Sequence, residues 1–262
     1  MNNKAINTIP DIDAYLSRIN IEKCDSCSIE YLDKLILAHQ YAVPFEDLDI
    51  YDFHMHVDIT IEKIFEKIVN RGRGGYCFEL NALFCSLLIS LGYNAYPCLA
   101  QVVYNRDDPV PSLHRLTIVQ MKDEKYVCDV GFGGPQPGFA LKIENDFIKI
   151  SNSGIKHTYK VVSDGNWWTL YYKSGESWNK TIRFNEIEMD EIAFVVPNYF
   201  CCYSDDSAFT NTRLVNMKTE TGNKSITDNT FIEIINHKRE EHQISNTEEL
   251  NIILKNHFGI NL

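Results

Sequence analysis

The chain has 262 residues, enough for one large domain or two to three smaller ones with a sizeable core. Hydrophobic residues make up 44% and charged residues 23%, the balance of a soluble globular protein. With 36 acidic against 25 basic residues, the net charge of −11 argues against nonspecific binding to nucleic acid or to an anionic membrane, but leaves room for a small anion held by backbone N–H groups.

No stretch reaches the roughly 20 apolar residues of a membrane helix, and the N-terminal MNNKAINTIPDIDAYL has no apolar signal core. The expectation is a cytoplasmic protein whose eight cysteines are free thiols, most of them buried as small hydrophobes. In chain order, PDIDAYLSRI places Ile12, Tyr15, Leu16 and Ile19 on one helical face, with Pro10 in its first turn. A second helix is predicted over about Ser28–Tyr41, carrying Leu32, Leu35, Ile36 and His39. VPFEDLDI (43–50) breaks the pattern. In HMH, His54 and His56 would point to one side if the segment were a strand; two half-exposed polar residues are the plainer expectation. A third helix follows Thr60 and ends at Gly72. A fourth starts near Cys77, is apolar around most of its circumference, and stops at Gly92, the pattern of a centrally buried helix.

From Tyr93 the pattern changes to short β-branched and aromatic runs: AYPCLAQVVY, HRLTIVQM, KYVCDVGF, FALKI, TYKVV, WWTLYY and TIRF. EIEMDEIAFVVPNYF then reads as a helix, AFTNTRLVNM, TFIEII and HQIS as strands, and NTEELNIILKNHF as a final helix capped by Asn246 with Glu249 three residues on. The order is helices, an antiparallel sheet or barrel, then a smaller α/β lobe. The boundaries fall at 1–92, 93–185 and 186–262.

The stretch RGRGGYCFELN (71–81) sets a thiol at a helix mouth. There the unpaired N–H groups and the macrodipole favour thiolate over thiol, while Gly74 and Gly75 leave the loop side open. A structural cysteine at a tight helix entry explains the position equally well. A nucleophile needs a base, and the base an orienting acceptor. His114 begins an apolar strand in PSLHRLTIV, and Asp129 ends one in YVCDVGFGG. Each also has a plain reading, as a structural strand histidine and a turn-capping aspartate. His157, His237, His242 and His257 read as solvated, and His39 as a core or interface histidine. CDSC (24–27) lacks a second ligand pair at zinc spacing, so no metal site is expected.

Together these segments resemble the arylamine N-acetyltransferases. RGGYCFELN (73–81) closely matches that family's cysteine motif. His114 and the Asp129 of DVGFG follow in the family's order. VPFEDLDI resembles the family's PFEN motif with Asp47 in place of Asn, and EEL…FGINL its C-terminal helix. The resemblance implies an α+β fold: an N-terminal helical bundle, a central antiparallel β-barrel and a C-terminal α/β lid around a cysteine-protease-like Cys-His-Asp core. It implies Cys77 as nucleophile, His114 as base and Asp129 as orienter, with Phe45 and Phe132 lining the acceptor pocket. SAFTNT (207–212) resembles a segment that helps bind coenzyme A, through Ser207, Phe209 and Thr210. The glycine-rich loop 130–138 is expected to offer backbone donors to the pyrophosphate, around Gly131, Gly133 and Gly134. The implied activity is transfer of an acetyl group from acetyl-CoA to an arylamine, arylhydrazine or N-hydroxyarylamine, without a metal. Two other readings are a transglutaminase- or papain-like Cys-His-Asp enzyme acting on amides, and a binder of CoA or an aromatic ligand without turnover. Within the motif, Arg73 is expected to pair with Glu79 or a carbonyl, and Arg71 to sit at a helix C-terminus.

Overall fold

The structure, a computed structural model, describes residues 8–104, 106, 108–150 and 157–262. Short polar caps start the first helices. Asp11 accepts from Ala14 N at 2.9 Å to open α1 (Ile12–Arg18), and Ser28 accepts from Tyr31 N at 3.2 Å to open α2 (Ile29–Ala42). A two-residue strand β1 (Phe45–Glu46) and a short α3 (Leu48–Tyr51) follow. α4 (Ile61–Phe65) runs into one π-helical turn (Glu66–Asn70), and Gly72 ends it at φ 69°. Arg71 caps that turn and is exposed, and its N–H donates to Glu66 O at 3.0 Å.

α5 (Cys77–Ser90) passes through the middle of the molecule. Phe78, Leu80, Leu83, Phe84, Leu87 and Leu88 are all fully buried. Each such side chain contributes about 1.5–3 kcal/mol of apolar burial, so α5 is a rigid base for whatever its first turn carries.

The middle of the chain forms one eight-stranded antiparallel sheet: β2 (Asn94–Val102), β3 (His114–Met121), β4 (Glu124–Cys128), β5 (Leu141–Lys142), β6 (Phe147–Ile150), β7 (Thr158–Asp164), β8 (Trp167–Ser174) and β9 (Ser177–Phe184). The order is β5-β4-β3-β2-β9-β8-β7-β6. Lys149 of edge strand β6 donates to Ala140 O at 3.3 Å, beside the other edge, so the sheet curls into a nearly closed barrel. Cys98, Leu116, Ile118, Val161, Leu170 and Phe184 fill its interior.

The last part opens with a 3-10 turn (Glu191–Phe194), α6 (Val195–Tyr203) and α7 (Ala208–Asn211). β10 (Leu214–Thr219), β11 (Gly222–Thr227), β12 (Thr230–Ile235) and β13 (Lys238–Gln243) form a second antiparallel sheet covered by α8 (Thr247–Phe258). Its order is β1-β10-β11-β12-β13, so residues 45–46 from the helical part complete its edge. α8 is capped as expected: Asn246 accepts from Glu249 N at 3.0 Å, and Glu249 reaches back to Ser245 N at 2.6 Å. Among the described residues no helix is long and apolar enough to cross a membrane.

Several expectations are corrected. Residues 186–190 are not helical, because Met189 N is bound to Pro97 O of β2 at 3.0 Å. AFTN is a helical turn, not a strand, since Ser207 caps Phe209 N and Thr210 and Asn211 bond back to Ser207 O. HMH, by contrast, meets the plainer expectation of polar residues: it lies outside any strand, His54 and His56 are exposed, and His54 has φ 51°. β6 and β11 lie outside the runs picked from the sequence; β11, GNKSIT, is a poor strand former held by its pairing on both sides.

Candidate active site

Gly74 and Gly75 set the approach to α5. A Cβ on Gly74 would lie 2.1 Å from Pro44 O, and one on Gly75 2.8 Å from the Glu79 carboxylate. The glycines therefore let the loop pack against Pro44 and Glu79; they are packing positions, not an open loop face. Glu79 in turn accepts from Tyr76 N at 3.1 Å, which fixes the start of the helix.

The partner of Arg73 is corrected too. Arg73 forks onto Glu46, with Nε and Nη2 each donating at 3.0 Å, and reaches Asp49 at 2.9 Å. It is Lys67 that pairs with Glu79, at 2.8 Å, and with Asp49, at 2.8 Å. Burial lifts Glu79 to about 6 against the pull of Lys67. Burial also pushes Asp49 up, but Lys67 and Arg73 outweigh it and the net shift is down. These five charges anchor the loop before Cys77 to the helical core.

On the other side of the same turn, Cys77 faces the barrel. The register of β2 and β3 places His114 opposite Ala100, and β4 delivers Asp129 one residue past its end. His114 Nε2 lies 2.6 Å from Asp129 Oδ2, and the ring adjoins the Cys77 thiol, with Nδ1 the nitrogen that Asp129 leaves free. All three side chains are buried, and the thiol lies 3.9 Å from Leu113 O.

The electrostatics differ from the helix-mouth expectation. Burial pushes the Cys77 thiol up, and this outweighs the lowering by His114 and by the backbone N–H of Arg115. Burial would lower His114 as well, but Asp129 and the Cys77 sulfur hold it up to about 10. Helix position alone does not make this thiol acidic; the adjoining imidazole is what can take its proton.

Asn81, one turn after Cys77 on the same face, secures the acid. Its Nδ2 donates to Asp129 Oδ1 at 2.9 Å and to Arg115 O at 2.6 Å, while its Oδ1 accepts from Val130 N at 3.0 Å. Gly131 N gives Asp129 Oδ1 a second bond at 2.8 Å, and Gln40 holds Asp129 O at 3.1 Å. Sequence reasoning passed over Asn81, although its i+4 spacing from Cys77 was the available signal. Arg115, beside His114, forks onto Glu191 at 2.6–2.7 Å and lies over Phe194, tying β3 to the last part of the chain.

Cys77 and His114 border a cavity of about 730 Å³, with Asp129 behind the imidazole. Phe45, Phe132, Gly131, Gly133, Gly134, Ser207 and Phe209 line it, with Leu113, Phe200, Leu214 and Ile226. Gly133 has φ 72° with the Phe45 ring 3.0 Å from where a Cβ would stand, so the loop folds against Phe45 only with glycine there. The Gly131 N–H is committed to Asp129, and Phe132 N donates to Gln136 Oε1 at 3.1 Å. Thr210 is not among the lining residues: its hydroxyl donates to Ser204 O and Ser207 O within the α7 turn. Ser207 Oγ likewise donates to Cys201 O at 2.8 Å, and Phe209 packs edge-on against Tyr76. Six of the eight cysteines are buried; Cys24 and Cys27 are exposed and free.

The N-acetyltransferase sequence profile matches residues 28–262. The arylamine N-acetyltransferase of Escherichia coli K12 is 28% identical over 254 residues, 96% of this chain and 89% of the relative. The arylamine N-acetyltransferase / N-hydroxyarylamine O-acetyltransferase of Salmonella typhimurium is 30% identical over 197 residues, 75% of this chain and 69% of the relative. Its solved counterpart, the Salmonella typhimurium arylamine N-acetyltransferase, superimposes with a TM-score of 0.90 at 26% identity, covering 97% of this chain and 92% of that one. The Mycobacterium marinum enzyme in complex with CoA superimposes at 0.88 and 25% identity, over 96% and 93%. Sequence and fold together show that the chain belongs to the arylamine N-acetyltransferase family.

Proposed function

We propose that this chain is a cytoplasmic acetyltransferase that moves an acetyl group from acetyl-CoA to an arylamine, arylhydrazine or N-hydroxyarylamine through a thioester on Cys77. One observation carries the reading: a buried imidazole held by a carboxylate at 2.6 Å, with a thiol on its other side, at the wall of an aromatic cavity.

His114 takes the Cys77 proton, and Asp129 stabilises the imidazolium. The thiolate attacks the acetyl carbonyl carbon, and backbone N–H groups at the start of α5 hold the oxyanion. The C–S bond to coenzyme A breaks, and the leaving thiolate takes the proton from His114. An aromatic amine, neutral at pH 7, then attacks the enzyme thioester with its own lone pair. The bond to Cys77 breaks, and His114 accepts the proton lost from the amine, which regenerates the thiolate–imidazolium pair. Phe45 and Phe132 favour a flat aromatic acceptor over water, which would hydrolyse the thioester. Gly133, Gly134 and Phe209 border the path open to coenzyme A. Ser207 and Thr210 serve that path by shaping the α7 turn.

Two-substrate kinetics test this. Transfer through a covalent enzyme predicts parallel double-reciprocal lines when acetyl-CoA is varied at several fixed amine concentrations. Intersecting lines would mean direct transfer in a ternary complex and would remove the thioester from the reaction.

A further inference from the structure

A second cavity, of about 390 Å³, adjoins the first, and Tyr104, Gly134 and Asn216 line both. Its walls include Tyr41, Tyr159 and Tyr172, and two basic side chains, Lys218 and His157, stand in it. Among its described lining residues none is Asp or Glu, in a chain of net charge −11. Lys218 Nζ donates to Gln136 O at 3.1 Å, and among the described residues no carboxylate lies within ion-pair distance of it. Tyr159 Oη uses the same carbonyl at 2.9 Å. Lys67, by contrast, is surrounded by three carboxylates. An ammonium partly withdrawn from water with no counter-charge carries a cost that something anionic would offset. In keeping with this, burial lowers Lys218 to about 8, and its charge presses His157 downward on top of the effect of burial. His157 is thus half-buried in a cavity, not one of four solvated histidines.

We infer that the tyrosine-walled cavity around Lys218 is an anion subsite that receives the phosphate or carboxylate oxygens at the far end of a molecule whose reactive end lies at Cys77. Lys218 supplies the charge, His157 and the tyrosine hydroxyls supply donors, and the rings flank a flat or extended body. The transfer reading above enters only in saying which molecule brings the anion: the phosphates of coenzyme A, or a carboxylate carried by the acceptor.

The test uses the full chain, with binding of inorganic pyrophosphate and of benzoate measured by calorimetry for the natural sequence, Lys218→Gln and Lys218→Arg. Lys218→Gln keeps a donor for Gln136 O and removes only the charge, so it separates anion binding from the loop contact. We expect at least one probe to bind, to weaken about tenfold or more in Lys218→Gln, and to recover in Lys218→Arg. If pyrophosphate is the probe affected, KM for acetyl-CoA rises in Lys218→Gln. If benzoate is, KM rises for a carboxylated aniline but not for aniline itself. Equal binding by the natural chain and Lys218→Gln, or no binding of either probe, would overturn the inference. Neither binding measurement needs turnover. Charge-dependent binding in a chain that never acetylates Cys77 would therefore sink the proposed activity and leave the subsite standing.

Discussion

Two buried polar networks meet at the first turn of α5, and they are built to opposite ends. On one side Glu79 joins Lys67, Asp49, Arg73 and Glu46 in a cluster where each charge has an opposite partner within 3.1 Å. On the other side Cys77, His114 and Asp129 form a chain open at the sulfur, which borders the large cavity. The closed network has no vacancy for a ligand and fixes the backbone. The open one has a group whose proton can leave and whose charge can be met by something from outside. Burial of ionisable groups is thus not by itself a sign of chemistry; a buried group facing a cavity with unfinished coordination is.

Substitutions on the two sides should separate activity from stability. Cys77→Ala is expected to lower kcat by about 10⁴-fold or more, with little change in melting temperature, as measured by steady-state assay and calorimetry. Retained turnover would remove the open network from the reaction. Asp129→Asn keeps an oxygen for Asn81 and Gly131 but loses the charge that stabilises the His114 imidazolium, and should cost about 10³-fold in kcat/KM. A loss below tenfold would leave Asp129 as a turn cap. Lys67→Met leaves carboxylates uncompensated in the closed network. It should cost about 3–5 kcal/mol of stability, near 10 °C in melting temperature for a chain of this size, while kcat at low temperature stays within a few fold. A kinetic defect without a stability defect would collapse the distinction.

The smallest effect concerns Asp47. Its Oδ1 accepts from Leu214 N at 2.8 Å, joining β1 to β10, while Oδ2 is buried without a partner. Burial lifts its carboxyl to about 8, against the lowering from the Leu214 N–H. The folded state thus prefers the neutral acid. Its contribution is whole below the unfolded value near 4 and is lost as the pH rises toward 8. Asp47→Asn should flatten that limb and gain about 1–3 kcal/mol at pH 8, with no gain at pH 4. A denaturation series across pH 4–8 that is parallel for both proteins would contradict this.

Much of the fold was legible because it rests on local signals. Pro10 lies just ahead of the Asp11 cap and not in the first turn of α1, while Ser28 and Asn246 open their helices where the pattern put them, and the apolar girth of α5 marks it as central. The eight-stranded barrel follows from the short β-branched and aromatic runs, except for β6, which pairs with β7 eight residues further on. Cys77 and Asp129 were visible beside glycine-rich turns and His114 at the start of an apolar strand, and the structure brings the three together. Three things were not legible. The cluster of Lys67, Arg73, Glu46, Asp49 and Glu79 joins residues from separate elements, so no spacing announces it. The upward shift of the thiol is a property of burial, which a motif does not carry. Lys218 reads as an ordinary strand lysine until the barrel and the second sheet enclose it.

The central claim is that Cys77 carries the acetyl group between two half-reactions. Intact and peptide mass spectrometry after mixing the protein with acetyl-CoA alone tests it most directly. The account predicts one added acetyl, located on Cys77, that disappears when an aromatic amine is added and is absent in Cys77→Ala. Product formation with Cys77 never labelled, or a Cys77 acetyl that the amine does not discharge, would contradict it.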